Sequence, residues 1–466
     1  MLRYARFFFL SLFLAAFISC TPQKATPPAA TQTPLAGPTV SPQNATELAQ
    51  ALLQALLKED WAAAEKDFDA RMKGGLPPAK LGDVWKGILA QSGAYKGQLG
   101  TRMEKWESYD IVVLTLQFEK VALDMRVTVD PKTGLISGLY FVPSQGAATP
   151  PPAADYVPPA YADLNAFQEQ EVTVGEEEWE LPGTLTMPKG PGPFPGVVLV
   201  HGSGPNDRDE TIGANKPFRD IAWGLASRGI AVLRYDKRTK VHSDKLAAIM
   251  DRFTVQQETI DDALDAVMLL RKAGGVDPAK VFVLGHSLGG MLAPWIGAVD
   301  TKLAGLLILA GPTRPLEDLI LEQSRYILGL DGELSADDKQ NLEELEKQVT
   351  AVKNLKPADR KGEPLLGAPP IYWLDLRGYR PAEMAKTISQ PLLILQGERD
   401  YQVTMTDFQG WKDALSAQSG VQLKSYPDLN HLFVAGQGKS SPQEYGKPGH
   451  VAEVVISDIV AWIQER

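Results

Sequence analysis

The chain of 466 residues has little of several features that mark particular classes of protein. Its single cysteine, Cys20, excludes an internal disulfide and a metal cluster built from several cysteines. Basic residues number 47 against 57 acidic ones, and no clustered basic segment for nucleic-acid phosphates is evident. The five histidines never recur at the i, i+4 spacing of a helical zinc pair. We therefore expect neither a metal centre nor a nucleic-acid partner.

An apolar run near the start of the chain is too short to span a bilayer. Arg3 and Arg6 precede the apolar or small residues 7–18, whereas a membrane-spanning helix needs about 20. A charged start, a short apolar middle and a small residue at the end are typical of a secretory signal. The F-I-S-C that ends at Cys20 resembles a bacterial lipoprotein box, in which the cysteine becomes lipidated. Residues 1–19 are therefore predicted to be a lipoprotein-type signal peptide. The protein would then be anchored through Cys20 to a membrane of the cell surface or periplasm, and an ordinary signal peptide is the alternative.

Two proline-rich stretches divide the rest of the chain. Residues 20–43 are rich in Pro, Thr, Ala and Gln and lack an apolar period, which indicates a flexible tether. Residues 144–166 contain P-P-P-A-A and V-P-P-A, which indicates an interdomain linker. These boundaries predict a small domain at 44–143 and a larger one at 167–466, since the chain is too long for a single ordinary domain.

The small domain changes from helical to strand periodicity along its length. Apolar residues recur at helical spacing in 45–58 and again in 81–89. Alternating runs follow at 111–118, 122–129 and 136–142. We therefore predict an α+β cone, with two or three helices followed by an antiparallel meander. The domain has no nucleophile–base constellation, which favours a docking or substrate-presenting module, with a plain spacer as the alternative.

The larger domain alternates short apolar strands with helical segments. A capping box at Thr254 and Gln257 opens one of the helices, and another helix ends the chain. Continuous apolar runs predict parallel strands that are buried on both faces. Alternation of this kind predicts a mostly parallel α/β sheet, with reactive residues at the carboxyl ends of its strands. The predicted strands are 196–200, 230–235, 281–284, 306–310, 391–395 and 421–426.

A G-x-S-x-G motif at residues 285–289 lies between a predicted strand and a predicted helix. In this context the tight turn would expose the Ser287 hydroxyl above the sheet, and Gly285 and Gly289 would leave room for it. An ordinary glycine-rich turn is the alternative. The context favours Ser287 as a nucleophile.

A serine nucleophile needs a base within hydrogen-bond reach, and that base needs an acid to orient it. Asp400 follows one late strand and His431 follows the next, so both would arrive at the edge of the sheet that carries Ser287. We predict that His431 is the general base and that Asp400 orients its ring. Residues considered for the same roles, and placed less well, are His286, His450, Glu398 and Asp428.

The segment after the first long buried strand, residues 201–210, would supply the oxyanion donors. Its glycines let the backbone bend, so that the amide of Ser203 and the amide of Leu288 would form the hole. His201 is expected to be a structural residue of the loop. The charged residues 207–210 are expected to be a solvated rim of the pocket, with a role in the site as the alternative.

Two longer motifs carry a family resemblance. H-G-S-G-P-N-D-R-D-E-T-I-G-A-N-K-P-F-R-D (residues 201–220) and R-Y-D-K-R (residues 234–238) are similar to those of the α/β-hydrolase family, in a branch of bacterial carboxylesterases related to the dienelactone-hydrolase and serine-aminopeptidase-like groups. The resemblance implies an α/β-hydrolase fold at 167–466 and serine esterase chemistry without a cofactor, on Ser287, Asp400 and His431. The small domain resembles one of unknown function, with a nuclear-transport-factor-like shape, that precedes some secreted bacterial hydrolases.

The chain between two of the predicted strands is longer than a crossover requires. Residues about 313–388 contain two stretches with helical spacing, which we interpret as a helical lid over the active site. Tyr372, Trp373 and Tyr379 would either wall the pocket or pack against the core.

These features favour a membrane-tethered carboxylesterase that acts on small to medium acyl esters through an acyl-enzyme on Ser287. A small-molecule ester is the expected partner. Amide hydrolysis, as by a serine peptidase or aminopeptidase, and acyl transfer would use the same three residues and remain alternatives. An alternative of another class is a lipoprotein that binds a ligand without catalysis.

Overall fold

A computed structural model describes residues 42–106, 109–119, 121–144, 156–330 and 332–466. The predicted signal peptide, the site of lipidation at Cys20 and nearly all of the predicted tether lie outside the described residues. The chain divides into two compact units between Val157 and Pro158, inside the predicted linker. Among the described helices, none has the length and apolar character needed to cross a membrane.

The first unit combines helices with an antiparallel sheet whose strands follow one another in the order β1-β2-β3-β4. The predicted helices near residues 45–58 and 81–89 are present, as are three of the strands. The sequence analysis missed most of β1, because Gly97 and Gly100 interrupt its alternation and coincide with two shifts of register against β2. The helices are α1 (Pro42–Leu57), α2 (Trp61–Glu65), α3 (Ala70–Gly75) and α4 (Pro78–Ser92), and the strands are β1 (Tyr95–Trp106), β2 (Tyr109–Phe118), β3 (Ala122–Val129) and β4 (Ile136–Pro143).

The first unit has a hydrophobic core of its own. Leu52 and Leu56 of α1 and Trp85 of α4 pack against Val112 and Leu116 of β2, and each of these side chains is almost completely buried. The apolar sides of the helices therefore pack against the apolar face of the sheet, as the helical and the alternating spacing of apolar residues predict.

The second unit is built on an eight-stranded sheet in the order β12-β11-β10-β9-β7-β8-β6-β5. Strands β7 to β12 are parallel to their neighbours in that set, and β5 and β6 continue the sheet in antiparallel fashion at one edge. The mostly parallel sheet is as predicted. The strands are β5 (Phe167–Val174), β6 (Leu181–Pro188), β7 (Phe194–Val200), β8 (Ala231–Tyr235), β9 (Val276–His286), β10 (Gly305–Leu309), β11 (Leu392–Gly397) and β12 (Val421–Tyr426).

Helices cover both faces of this sheet. Val197 and Leu199 of β7 face one core, whereas Val198 and Val200 face the other, because successive side chains of a strand point to opposite sides. The helix predicted from Thr254 begins with a π-helical segment, Gln256–Ile260. The helices are α5 (Pro217–Ala226), α6 (Arg238–Val241), α7 (Ser243–Leu246), α8 (Asp261–Lys272), α9 (Leu288–Val299), α10 (Leu316–Leu328), α11 (Ala336–Asn354), α12 (Pro370–Leu376), α13 (Pro381–Ala385), α14 (Met405–Leu415) and α15 (Glu453–Gln464).

The insertion between β10 and β11 contains α10 to α13. Leu319 of α10, Val349 of α11 and Trp373 of α12 are buried in the same core as β9 and β10. The two predicted helices of this segment are therefore present, and the insertion is built onto the sheet through apolar contacts.

Strand order decides where a site can form. Along the chain, β8 is added on one side of β7 and β9 on the other, so the order of the strands reverses between β7 and β9. In open α/β sheets ligands bind at the carboxyl ends of the strands beside such a reversal. The loops that follow β7 and β9 carry Ser203 and Ser287.

Candidate active site

Ser287 occupies a strained turn between β9 and α9. Its backbone angles, φ 53° and ψ −116°, lie where residues with a side chain rarely occur. A Cβ atom at Gly289 would lie 2.2 Å from the carbonyl oxygen of Val200, and one at Gly285 would lie 2.1 Å from that of Gly289. Only glycine at both positions lets the helix approach the strands closely enough to form this turn, as the motif predicts.

Asp400 and His431 come together as the sequence predicts. Asp400 Oδ2 lies 2.7 Å from His431 Nδ1, and the two side chains are almost fully buried. The other oxygen, Oδ1, accepts hydrogen bonds from the backbone amides of Gln402 (2.7 Å) and Val403 (3.0 Å). A carboxylate can only accept, so Nδ1 carries the proton and Nε2 keeps the lone pair that a general base needs.

Ser287 and His431 line a single cavity of about 60 Å³, together with Ser203, Gln323 and Tyr401. In the part of the chain that the structure describes, no hydrogen bond joins Ser287 Oγ to His431. Catalytic hydrogen bonds are commonly long or poorly aligned without substrate and shorten in the reacting complex. The predicted nucleophile and the predicted base therefore line the same cavity, but they are not hydrogen-bonded to each other in the structure.

One of the two predicted oxyanion donors, Ser203, borders the same cavity, and the other, Leu288, directly follows Ser287 of the cavity wall. Leu288 is the first residue of α9, so its N–H has no acceptor within the helix. Ser203 lines the cavity directly. Both backbone polar groups of Gly202, the residue before Ser203, are hydrogen-bonded. The N–H donates to Glu210 Oε1 (2.7 Å), and the carbonyl accepts from Lys237 Nζ (2.8 Å).

Of the charged residues 207–210, which were expected to form a solvated rim, Asp207 and Arg208 are partly exposed but Asp209 and Glu210 are buried. Asp209 and Glu210 are 4% and 1% exposed. Asp209 pairs with the buried Arg234 of β8. The R-Y-D-K-R segment, which begins at the end of β8, thus pairs with this loop twice, because Arg234 binds Asp209 and Asp236 binds Arg208. Buried charges require such partners, and the opposite signs of the two segments are the signal that would have indicated the pairing.

Two functional candidates in the site were missed or dismissed from the sequence. His286 Nδ1 lies 2.9 Å from Glu210 Oε2, and its Nε2 donates to the carbonyl oxygen of His431 (2.9 Å). Burial alone would raise the pKa of Glu210, but the adjacent His286 outweighs it and holds that pKa below its ordinary value. Burial alone would lower the pKa of His286, but the charge and hydrogen bonding of Glu210 raise it.

His201, His450 and Glu398 make contacts that indicate structural roles. His201 Nε2 donates to the carbonyl oxygen of Asp207 (3.1 Å), and burial lowers the pKa of His201 to about 4. His450 pairs with Asp220 at 3.1 Å. It does not start the final helix, which begins at Glu453. Glu398 accepts a hydrogen bond from Ser425, away from the cavity.

The insertion lines the cavity through α10, and its aromatic residues pack against the core, which was one of the two expectations for them. Gln323 and Ile327 of α10 reach the cavity, and Tyr401 and Tyr445 supply its aromatic lining. Tyr372, Trp373 and Tyr379 do not line it. Their polar atoms bind Glu258, Leu365 and Met291 within the core. Among the described residues, no group of three or more His, Cys, Asp or Glu side chains is placed to hold a metal ion.

Comparison with known proteins agrees with this architecture. Residues 197–445 match the alpha/beta hydrolase family, and residues 49–137 match a family of proteins of unknown function, DUF3887. The chain is 41% identical over 411 residues to Esterase EstD of Thermotoga maritima, covering 88% of this chain and 93% of that protein.

Two solved structures show weaker similarity. Est1E from Butyrivibrio proteoclasticus is 16% identical, with 64% of this chain and 99% of that chain covered and a TM-score of 0.41. A putative dienelactone hydrolase from Klebsiella pneumoniae is also 16% identical, with 65% and 100% covered and a TM-score of 0.39. The predictions of a hydrolase fold and of an enzyme are confirmed by the family match and by the relative at 41% identity. The chain belongs to the alpha/beta hydrolase family.

Proposed function

We propose that the protein is a serine carboxylesterase that hydrolyses small to medium acyl esters through an acyl-enzyme on Ser287. The observation that carries the proposal is the convergence of the strained Ser287 turn and the buried Asp400–His431 pair on one cavity. Each residue follows a different strand of the sheet. The similarity to a protein described as an esterase supports ester substrates.

Acylation begins when Ser287 Oγ attacks the ester carbonyl carbon. His431 Nε2 accepts the hydroxyl proton, and Asp400 stabilises the resulting imidazolium through Nδ1. The carbonyl oxygen becomes an oxyanion, to which the backbone N–H groups of Ser203 and Leu288 donate. Each such donor contributes roughly 10²- to 10³-fold to the rate. Collapse of the tetrahedral intermediate breaks the ester bond, and His431 returns the proton to the departing alcohol.

Deacylation repeats these steps with water as the nucleophile. His431 Nε2 removes a proton from water, which attacks the acyl carbon, and the same amides hold the second oxyanion. Ser287 then leaves with the proton from His431, and the carboxylic acid departs. The same base serves both halves of the reaction, so a single histidine with a fixed tautomer is sufficient.

The size of the cavity supports the smaller end of this substrate range. A volume of about 60 Å³ holds about four to six water-sized groups. An acyl chain of a few carbons would fill it between Ile327 and Tyr401.

Covalent labelling and ester turnover test the proposal together. We expect a fluorophosphonate to label the wild type but not Ser287→Ala, and 4-nitrophenyl acetate to be hydrolysed faster than the octanoate. Ser324→Ala is the matched control, because Ser324 is a buried serine whose hydroxyl binds the backbone of its own helix. Labelling with turnover only on peptide amides would assign a peptidase. Absence of labelling and turnover would assign a binding protein.

We also propose that the mature protein is an extracytoplasmic lipoprotein anchored through Cys20. The F-I-S-C segment at the end of a short apolar run supports this. In a bacterial host, the wild type should incorporate labelled palmitate and sediment with membranes, whereas Cys20→Ser should do neither. Equal membrane association of both proteins would contradict the anchor.

A further inference from the structure

Glu210 and His286 form a buried bridge between the loops that carry the proposed oxyanion donor and the proposed base. Glu210 Oε1 accepts from the N–H of Gly202, which directly precedes Ser203. Glu210 Oε2 lies 2.9 Å from His286 Nδ1, and His286 Nε2 donates to the carbonyl oxygen of His431. His286 also directly precedes Ser287. One pair of side chains therefore contacts the loop after β7, the turn after β9 and the loop after β12.

The two side chains of the bridge lie in the interior of the protein and contact each other through Glu210 Oε2 and His286 Nδ1. Both side chains are buried, and neither Glu210 Oε2 nor His286 Nδ1 has another hydrogen-bond partner among the described residues. The pKa of Glu210 is lowered and that of His286 is raised, so the carboxylate and imidazolium forms are both favoured. A charged donor also strengthens the hydrogen bond from His286 to the His431 carbonyl.

The backbone of Glu210 is strained in a way that serves this contact. Its φ of 50° lies in the left-handed region, which is unfavourable for residues with a side chain. A buried ion pair by itself contributes little to stability, because desolvation offsets the attraction. Strain and buried charge at one residue beside a reaction centre are better explained by positioning than by stability.

We propose that Glu210 and His286 are positioning residues, which hold the Ser203 amide and the His431 ring at the separation that acyl transfer requires. This inference rests on the proposed function. Neither residue touches the reacting atoms in this scheme. Glu210 acts through the backbone N–H of Gly202, whereas His286 acts through the backbone carbonyl of His431 and through its ring, whose centroid lies 4.6 Å from that of the His431 ring. A displacement of about 1 Å in such a site can reduce the rate about 10²-fold, so we expect the bridge to affect kcat more than KM.

Glu210→Gln tests the bridge with the smallest change in shape. We expect kcat for 4-nitrophenyl acetate to fall about 10- to 100-fold while KM changes less than about threefold. Asp209→Asn is the matched control, since Asp209 is the neighbouring buried acid but pairs with Arg234 instead of the site. Its kcat should stay within about threefold of the wild type. Equal losses in the two variants, or an unchanged kcat in Glu210→Gln, would overturn the proposal.

A double variant separates positioning from a general loss of folding. His286→Gln removes the ion pair, and it is the second test if Glu210→Gln does not fold. If the two residues act as one unit, the double variant should lose about as much kcat as either single variant. If the losses in kcat of the two single variants simply added in the double variant, and the thermal unfolding temperature fell in parallel, the positioning role would be contradicted.

The rate of fluorophosphonate labelling gives a readout that does not depend on ester turnover. Labelling of Ser287 uses the same base and amides, so it should slow in Glu210→Gln and not in Asp209→Asn. A wild type that is labelled but hydrolyses no ester would overturn the proposed function and leave this comparison valid. Equal labelling rates in both variants and in the wild type would contradict the proposed positioning role of Glu210 and His286.

Discussion

At the scale of single residues, the surroundings of Asp400 determine what His431 can do. Hydrogen bonds from Gln396 Nε2 (3.1 Å) and from two backbone amides hold the carboxylate in one orientation. The carboxylate in turn sets the tautomer of the His431 ring. The tautomer of the proposed base is thus fixed before substrate binds.

Replacing Asp400 by Asn should therefore reduce activity without removing the nucleophile. An amide at this position favours the wrong tautomer of His431, and we expect kcat for a 4-nitrophenyl ester to fall about 10³- to 10⁴-fold. Asp428→Asn is the matched control, since Asp428 is an exposed acid on a neighbouring loop. Comparable losses in both variants would contradict the role of Asp400.

His201 makes stability depend on pH. Burial lowers its pKa to about 4 in the folded protein, whereas an exposed histidine has a pKa of about 6.5. Between these values the unfolded chain binds a proton that the folded protein does not, so the free energy of unfolding falls as pH decreases from about 6.5 to about 4. The full loss is about 3 kcal/mol.

Urea unfolding of the wild type and of His201→Gln at pH 7 and pH 4.5 measures this contribution. The variant cannot take up the proton, so its free energy of unfolding should fall less between the two pH values. Identical pH dependence of both proteins would show that His201 is not the responsible group.

At the scale of secondary-structure elements, periodicity predicted the strands that are apolar on both faces and the helices with one apolar side. It missed β5, whose sequence F-Q-E-Q-E-V-T-V is largely exposed, and β6 beside it. As an edge strand, β5 buries little apolar surface and so carries a weak pattern, whereas the mostly buried β6 has prolines, a glycine and threonines in place of a continuous apolar run. Ser287 and Asp400 were predictable because each follows a strand with a buried apolar run, and His431 because it follows the alternating strand β12.

The turn between β9 and α9 depends on Gly289. In Gly289→Ala the added methyl group would meet the carbonyl oxygen of Val200 at 2.2 Å, so the strand or the helix must shift. We expect a loss of about 2 kcal/mol or more in the free energy of unfolding by urea, together with reduced labelling of Ser287.

Gly274→Ala is the control for this substitution, because a Cβ atom there has no neighbour within 4 Å. Its stability should stay close to that of the wild type. If Gly289→Ala were as stable as Gly274→Ala, the close approach of helix and strand would not be required.

At the scale of the whole molecule, the two units have separate cores. The core of the first unit contains residues between Ala45 and Ile136, and the cores of the second begin at Val174. The second unit contains every residue proposed to act in catalysis. Tyr161, which precedes β5, donates to the carbonyl oxygen of Val451, so residues just after Pro158 already belong to the second unit.

A fragment of residues 158–466 should therefore fold and hydrolyse 4-nitrophenyl acetate with a kcat/KM within a few-fold of the full chain. The described residues that line the cavity and those of the two cores around the large sheet all lie within 158–466. Circular dichroism and ester turnover of the fragment check this expectation. A folded but inactive fragment would show that the first unit takes part in the reaction.

The sequence by itself determined the order of the chemistry along the chain: a serine in a glycine turn, then an acid and a histidine, each after a predicted strand. Those features are local, because periodicity and turn residues act over a few positions. Tertiary structure alone decided that Glu210 is buried against His286, and that Tyr401 instead of Trp373 lines the cavity. Burial and the partner of a charge depend on contacts between residues far apart in sequence, which no local pattern specifies.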